Sequence, residues 1–427
     1  MKPLRLLILA ALAALPGGAA GADVTHPGVP QPWHYWSTAE MFITTVPSEP
    51  DVALFEDGRF AVVWAQPVEG ISGIRQIRAR SFAEAGNALT GAVDLMPVPI
   101  SGDGHRPKIV AAPDRGSVYV AFLRGDKSYT IEERAFPSLA LLSSVSGSFS
   151  SGLEATDLDL ARHPGYGVVM VAQVELYTGL ERVLRLRYQH DLTPLDGAGV
   201  PVVDPLELSG VTVTMTETGR VVIGWAHADA THTRIDGVQH AFGNPAAQQP
   251  LPNIASMPFD QGTMHRPIFA PTPEADDLGL MIGLRHSLPG DSVGIYARSC
   301  GWATCKGFRH LVPEGSHGYD LDTDARGFAV AVFTDSYGFD VQTLERFGDD
   351  YLPADPAAPM LLGNGYPLPV GYGPAVDVRS NGDFAIVFHY PNSGGLHVRR
   401  FRSAARLFYD GFESGSTGTW SSTVGGQ

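Results

Sequence analysis

The chain has 427 residues, of which 44% are hydrophobic and only 18% charged, and its 49 glycines and 33 prolines take nearly a fifth of all positions. That composition excludes a coiled coil, a helical solenoid and a highly charged disordered chain, and it indicates an all-β protein rich in turns. The 45 acidic against 30 basic residues, a net charge of -15, remove nucleic acid and anionic membrane surfaces from the expected partners.

The first 22 residues read as a targeting segment. Lys2 and Arg5 form a basic start, Leu6 to Leu15 is an apolar run too short to span a bilayer, and Ala20-Gly21-Ala22 has the small-x-small pattern of a signal-peptidase site. The mature chain is expected to begin near Asp23, secreted to the periplasm or the exterior, and no later stretch is apolar for long enough to span a membrane. Residues 23–40 form an N-terminal extension, residues 41–407 the folded body and residues 408–427 a Gly- and Ser-rich tail.

Between these ends one unit recurs seven times: a short apolar stretch, a turn with glycine, and a second apolar run that often holds an aromatic. The clearest copies are Val52 to Trp64 and Ala375 to Phe388, and the turn glycines are Gly58, Gly116, Gly167, Gly219, Gly279, Gly327 and Gly382. Their mean spacing is about 54 residues. A third segment leads into an arginine and an aromatic, as in Arg80-Ser81-Phe82, Arg187-Tyr188 and Arg400-Phe401, and a fourth apolar segment follows in most units, as at Val93 to Ile100 and Val202 to Leu208. Four antiparallel strands repeated in this way form the blade of a β-propeller. Second strands such as Phe60 to Trp64 are apolar on both sides of the alternation, as a strand packed between two neighbouring blades must be. The fold expected is all-β, a seven-bladed propeller of four-stranded blades. Met41 to Val46 has the register of a fourth strand ahead of the first unit and is expected to complete the last blade, closing the ring.

The spacing and the DGRFAVVW and SNGDFAIVF turns resemble the propeller repeats of secreted bacterial proteins, and the IYARSCGWATC hairpin is similar to cysteine-bearing hairpins of sialidase-like propellers. The sialidase Asp-box, Ser-x-Asp-x-Gly-x-x-Trp, does not occur. Cys300 and Cys305 are the only cysteines, and four intervening residues allow a tight turn to bring them within bonding reach. In an oxidising compartment a disulfide is the ordinary outcome, with free thiols or a metal site as alternatives. From Phe408 onward the chain resembles a short tail carried by many exported bacterial proteins.

In a four-stranded meander the links from strand two to three, and from strand four into the next blade, share one face of the disc. Seven of the 14 histidines fall on them: His105, His227, His232, His265, His286, His317 and His389. Loops on a rigid scaffold are where binding residues concentrate, and histidine exchanges protons near neutral pH. The ligand-binding candidates are His105, Arg106, His265, Arg266, His317, Tyr319 and His389. The His-Arg-Pro segments and strand-end histidines are similar to those of seven-bladed polysaccharide lyases. That similarity implies β-elimination on an acidic polysaccharide, with arginine stabilising the enolate and His or Tyr moving protons.

Asp126, Asp229, Asp320 and Asp335 are available for glycoside hydrolysis without forming an evident pair. His227-Ala228-Asp229 and His232 offer metal ligands without a paired motif, and Asp322-Thr323-Asp324 reads as a solvated turn. No cofactor, metal site or catalytic residue is assigned. The expectation is a monomeric, secreted binding protein for an extracellular glycan or protein surface, with a polysaccharide-degrading enzyme as the alternative.

Overall fold

Alternating apolar residues punctuated by glycine turns leave each strand with a face to bury, and the chain solves this seven times over. The computed structural model describes residues 35–37, 41–45, 48–96, 103–125, 127–149, 153–176, 179–197, 199–203, 206–229, 231–251, 254–258, 263–271, 278–285, 293–300, 309–312, 319–323, 329–334, 338–347, 350–353, 360–364, 373–380, 382–390 and 395–403. The expected signal segment, Cys305 and the C-terminal tail lie outside the described residues, as do the side chains of Cys300 and of most of the fifth blade.

The described strands form seven antiparallel sheets, each a meander in chain order. Their first strands are Ser48–Leu54, Gly104–Ala112, Glu154–His163, Glu207–Met215, Thr263–Pro271, Tyr319–Thr323 and Ala375–Val378. Each first strand touches the first strand of the next sheet, and the seventh touches the first, so these strands line a closed ring. This is a β-propeller with the sheets as blades. The seventh blade is completed from the other end of the chain: Met41–Thr45 and Tyr35–Ser37 both pair antiparallel with Gly395–Ser403. The expected closing strand is therefore present. Among the described residues no helix is long and apolar enough to cross a membrane.

Burial follows from the stacking. The second strands Phe60–Pro67, Ser117–Arg124 and Gly167–Glu175 are buried on both faces for at least six residues from their starts. The apolar core is a series of seams between blades. Trp64 and Phe60 of blade 1 pack with Ala385 and Val387 of blade 7 and Ile43 of the closing strand, while Tyr119 and Ile131 of blade 2 pack with Leu158 and Met170 of blade 3.

The recurring arginine and aromatic of the third strand clamp these seams. Arg400, fully buried, donates to the Glu84 carbonyl of blade 1 and to Asp383 of its own blade. Arg187 donates to Asp196 and to the Phe242 carbonyl of blade 4, and its guanidinium lies over the Phe242 ring. Gly58, at φ +85°, leaves room for Arg400, since a Cβ there would sit 2.6 Å from a guanidinium nitrogen.

A second set of ties runs along the inner strands. Carboxylates of Asp51, Asp159, Asp320, Asp322 and Asp377 accept backbone N–H groups of Ile109, Val213, Val376, Val378 and Leu54, each in the inner strand of the following blade. An inner strand has a free edge facing the channel, and these side chains satisfy part of it. Asp322 thus belongs to a strand, where the sequence pattern indicates a solvated turn. Burial, then the neighbouring Asp322 carboxylate, pushes the Asp377 carboxyl well above the usual carboxylate range.

Two segment boundaries differ from the sequence reading. Val202 to Leu208, expected as one fourth strand, divides: Val200–Pro201 pairs with the third strand, and Glu207 already opens the next blade. His105-Arg106-Pro107, expected as a link, lies inside the inner strand of blade 2. A β-bulge absorbs the proline there, between His105 and Lys108.

Candidate functional site

The starts of the inner strands and the ends of the second strands meet on one face, as the pairing of His105 with Leu123 and of Leu208 with His227 requires. Around this mouth the first five inner strands each carry a register shift near the start: Ser48/Asp51, His105/Lys108, Ala155/Asp157, Leu208/Val211 and Met264/Pro267. Bulges re-aim side chains and cluster beside functional sites. At two neighbouring bulges a charged residue is held in the left-handed region, Glu49 at φ 52° and Arg106 at φ 53°. That conformation costs a residue with a Cβ about 1–2 kcal/mol and persists only where surroundings impose it.

The surroundings of Arg106 are explicit. Its backbone N–H donates to Glu49 Oε2 at 2.6 Å, and its Nε donates to the Thr156 carbonyl of blade 3 at 3.3 Å. The same Nε lies 3.8 Å from Glu49 Oε1 and 3.9 Å from Asp157 Oδ1. The two terminal amino groups have no hydrogen-bond partner among the described residues, and the side chain is 35% exposed. Glu49 also faces Arg75, 3.4 Å from its Nη1, and Arg75 is otherwise gripped by Asp103 through its backbone N–H, Nε and Nη2. Burial pushes the His105 imidazole below its ordinary pKa, aided by Arg75 and Arg106 and opposed by Glu49 and Asp103. His105 is therefore neutral near pH 7, one nitrogen donating and the other accepting.

The network continues into blades 3 and 4. Thr156 donates to Glu181 Oε1 at 3.0 Å, and the Leu208 N–H to Glu181 Oε2 at 3.2 Å. Next along the mouth, His227 is bonded through Nε2 to Asp236 at 2.8 Å, which leaves Nδ1 as an acceptor when Nε2 carries the proton. Ser48 Oγ, Gln173 Oε1, Trp225 Nε1 and His227 Nδ1 are buried polar atoms with no hydrogen-bond partner among the described residues. Gln173 and Trp225 occupy matching places on adjacent blades, opposite Asp157 and Val211. The accessible part of the arc over blades 1 to 4 thus combines the Arg106 guanidinium, a neutral imidazole and carboxylates, while the unpaired polar atoms lie buried beneath it. Such a set suits a ligand with many hydroxyl groups, each able to donate and accept.

Of the residues singled out in the sequence, His105 and Arg106 are brought into one cluster. His265 and Arg266 occupy the equivalent bulge of blade 5, with side chains outside the described residues. His317 lies outside the described residues, and His389 sits at the end of the second strand of blade 7 with its side chain likewise outside them. Tyr319 opens the inner strand of blade 6 and packs against a core of Ala270, Leu321, Ala331 and Phe333. His232 opens the third strand of blade 4, its backbone held in a tight turn by Asp229. Among the described residues no group of three or more His, Cys, Asp or Glu gathers as a metal site. Glu49 is the member that sequence reasoning missed. Its signal was a charged residue before proline at the same place in the repeat, Glu49-Pro50 beside Arg106-Pro107.

No family model matches the chain, and no curated protein matches it. Among solved structures, a protein of unknown function from Dyadobacter fermentans is similar over 87% of this chain and 99% of its own, with 11% identity and a TM-score of 0.51. An α-L-arabinanase from Penicillium chrysogenum covers 87% of this chain and 99% of its own, at 10% identity and a TM-score of 0.48. The β-propeller domain of the Trilobed protease from Pyrococcus furiosus covers 85% and 98%, at 9% identity and a TM-score of 0.47. At such identities the likeness speaks to overall fold alone.

Proposed function

We propose that this is a secreted carbohydrate-binding propeller that takes an extracellular glycan at the bulge-lined mouth of blades 1 to 4. The observation that carries the reading is Arg106: a strained backbone and three oxygen neighbours fix its Nε, while its terminal amino groups stay available at the rim. Charge balance selects among glycans. Arg75 and Arg106 face the carboxylates of Glu49, Asp103 and Asp157, and His105 is neutral, so the cluster has no surplus of positive charge for an acidic ligand. An uncharged sugar meets no such opposition, and its hydroxyls can accept from the Arg106 amino groups and donate to the neighbouring carboxylates. This favours neutral glycans over the acidic polysaccharides that a β-eliminating enzyme requires.

A second reading, hydrolysis of the bound glycan, rests on Glu49 and Asp157. Both carboxylates lie within 4 Å of one guanidinium nitrogen, so their nearer oxygens are at most about 8 Å apart, under the upper limit for a glycosidase pair.

The test is an array of neutral and acidic glycans probed with the mature protein, together with a reducing-end assay on every glycan retained. Neutral glycans should be held, and the Arg106→Ala variant should bind them about 10- to 100-fold more weakly, the loss of one or two charge-assisted hydrogen bonds. Retention of acidic glycans alone, or unchanged binding by the variant, overturns the proposal. New reducing ends would move the assignment to the hydrolytic reading.

A further inference from the structure

The outer rim of the disc carries one strand unlike its counterparts. Leu141–Ser148 is the outermost strand of blade 2, paired on one side with Ser128–Ala135 and on the other with no strand among the described residues. Propellers keep such edges short or guarded, and this chain does so elsewhere. Among the described residues Val93–Asp94 and Val200–Pro201 have two residues each, Tyr35–Ser37 three, Ala255–Pro258, Arg309–Val312 and Asp350–Pro353 four, Met41–Thr45 and Met360–Asn364 five, and Asn244–Pro250 is longer but carries Pro245 and Pro250. Leu141–Ser148 has eight residues, no proline and no charge. Its only irregularity is a shift in register between Leu141 and Ser143, and Leu141 and Leu142 are more than half exposed.

We propose that this edge pairs with the same strand of a second copy of the chain, extending the two blades into one continuous sheet across a two-fold axis. Charge selects the occupant. No charged residue occurs between Arg134 and Glu154, so two chains that each carry a net charge of -15 meet here without opposing carboxylates. A basic partner would gain nothing at this place and would be drawn to the acidic remainder of the surface.

Symmetry then restricts the register. A two-fold axis normal to the sheet must pass beside a residue that faces its own copy. With Val145 at that point it faces its own copy across the axis, while Ser144 lies opposite Ser146 and Leu142 opposite Ser148, so that no leucine meets a leucine. The seven paired residues run for about 24 Å, a small contact by the standard of stable dimers. The association is therefore reversible and concentration-dependent, in place of the monomer expected from the sequence.

Sedimentation velocity of the mature protein, from about 1 to 200 μM, tests this range of weak self-association. The wild type should shift from monomer toward dimer with concentration. A Ser144→Lys/Ser146→Lys variant and a Ser144→Glu/Ser146→Glu variant should each stay monomeric throughout, with melting temperatures near that of the wild type. Mixed in equal amounts they should dimerise again, because every introduced lysine of one chain then faces an introduced glutamate of the other. A wild type that remains monomeric, a dimer that persists in both charged variants, or a mixture that stays monomeric would each overturn the proposal. Unfolding of either variant is read from its melt, and the single Ser144→Lys and Ser146→Glu variants, whose introduced charges face each other on mixing, then make the same comparison.

Discussion

At Arg106 the usual ranking of alanine and glycine in a strand should reverse. In an ordinary strand glycine is about 0.5–1 kcal/mol less stable than alanine. Arg106 stands at φ 53°, where a residue with a Cβ loses about 1–2 kcal/mol and glycine does not. The side-chain contacts given up on truncation are one hydrogen bond of 3.3 Å and two long ion pairs at 3.8 and 3.9 Å. With a third of the side chain exposed, they amount to about 1 kcal/mol in total. Arg106→Ala loses those contacts and keeps the strain, for a net cost of about 1 kcal/mol. Arg106→Gly loses the same contacts but relieves the strain, and its net change is about zero. Urea unfolding followed by tryptophan fluorescence should therefore place the glycine variant above the alanine variant by about 1 kcal/mol, while both lose glycan binding to the same degree. An alanine variant more stable than the glycine variant would mean that Arg106 is not held in the left-handed region, and the argument for a rigidly presented guanidinium would fail.

Three other substitutions probe the ring. The raised pKa of Asp377 means that the folded protein holds this proton more tightly than the unfolded chain does. Its stabilisation is complete below the ordinary carboxylate pKa of 3.8 and is lost as pH rises through the raised value. Asp377→Asn should accordingly flatten the fall in melting temperature with increasing pH, and equal slopes for the two proteins would contradict the assignment. Asp383→Ala removes the carboxylate shared by the buried Arg379 and Arg400 and should cost about 3–5 kcal/mol in urea unfolding. A cost below about 1 kcal/mol would show that the clamp between blades 7 and 1 adds little. Gly224→Val would place its Cβ 2.1 Å from the Phe269 ring of blade 5, and the seam must open by about 1–3 kcal/mol of strain, measured as a lowered urea midpoint. A midpoint equal to that of the wild type would refute the close approach.

The blades were legible because every copy repeats the same burial constraint. Phe60 to Trp64 can be apolar on both faces only between two neighbours, and Met41 to Thr45 has a partner only if the ring closes. The site was legible in part. His105 and Arg106 were found by their residue types, but Pro107 normally marks a strand start, so the segment was read as a link and the bulge was missed. Glu49 was missed because its role arises from the neighbouring blade, whose Arg106 amide it accepts across 57 positions of sequence. The same limit hid the inner carboxylates. Asp159 and Asp322 occupy polar positions of a regular alternation, and nothing local to them records the backbone N–H groups of Val213 and Val378 that they bind.

Because the outer strands of the seventh blade come from residues 35–45 while the rest of it comes from residues 375–403, the first of the described strands to be synthesised are the last to find their partner. Throughout synthesis Tyr35–Ser37 and Met41–Thr45 must wait, unpaired, until almost the whole chain has emerged. The molecule thus has a built-in check on completeness. A chain that stops short of Gly395 leaves Tyr35–Ser37 and Met41–Thr45 without the strand they pair with.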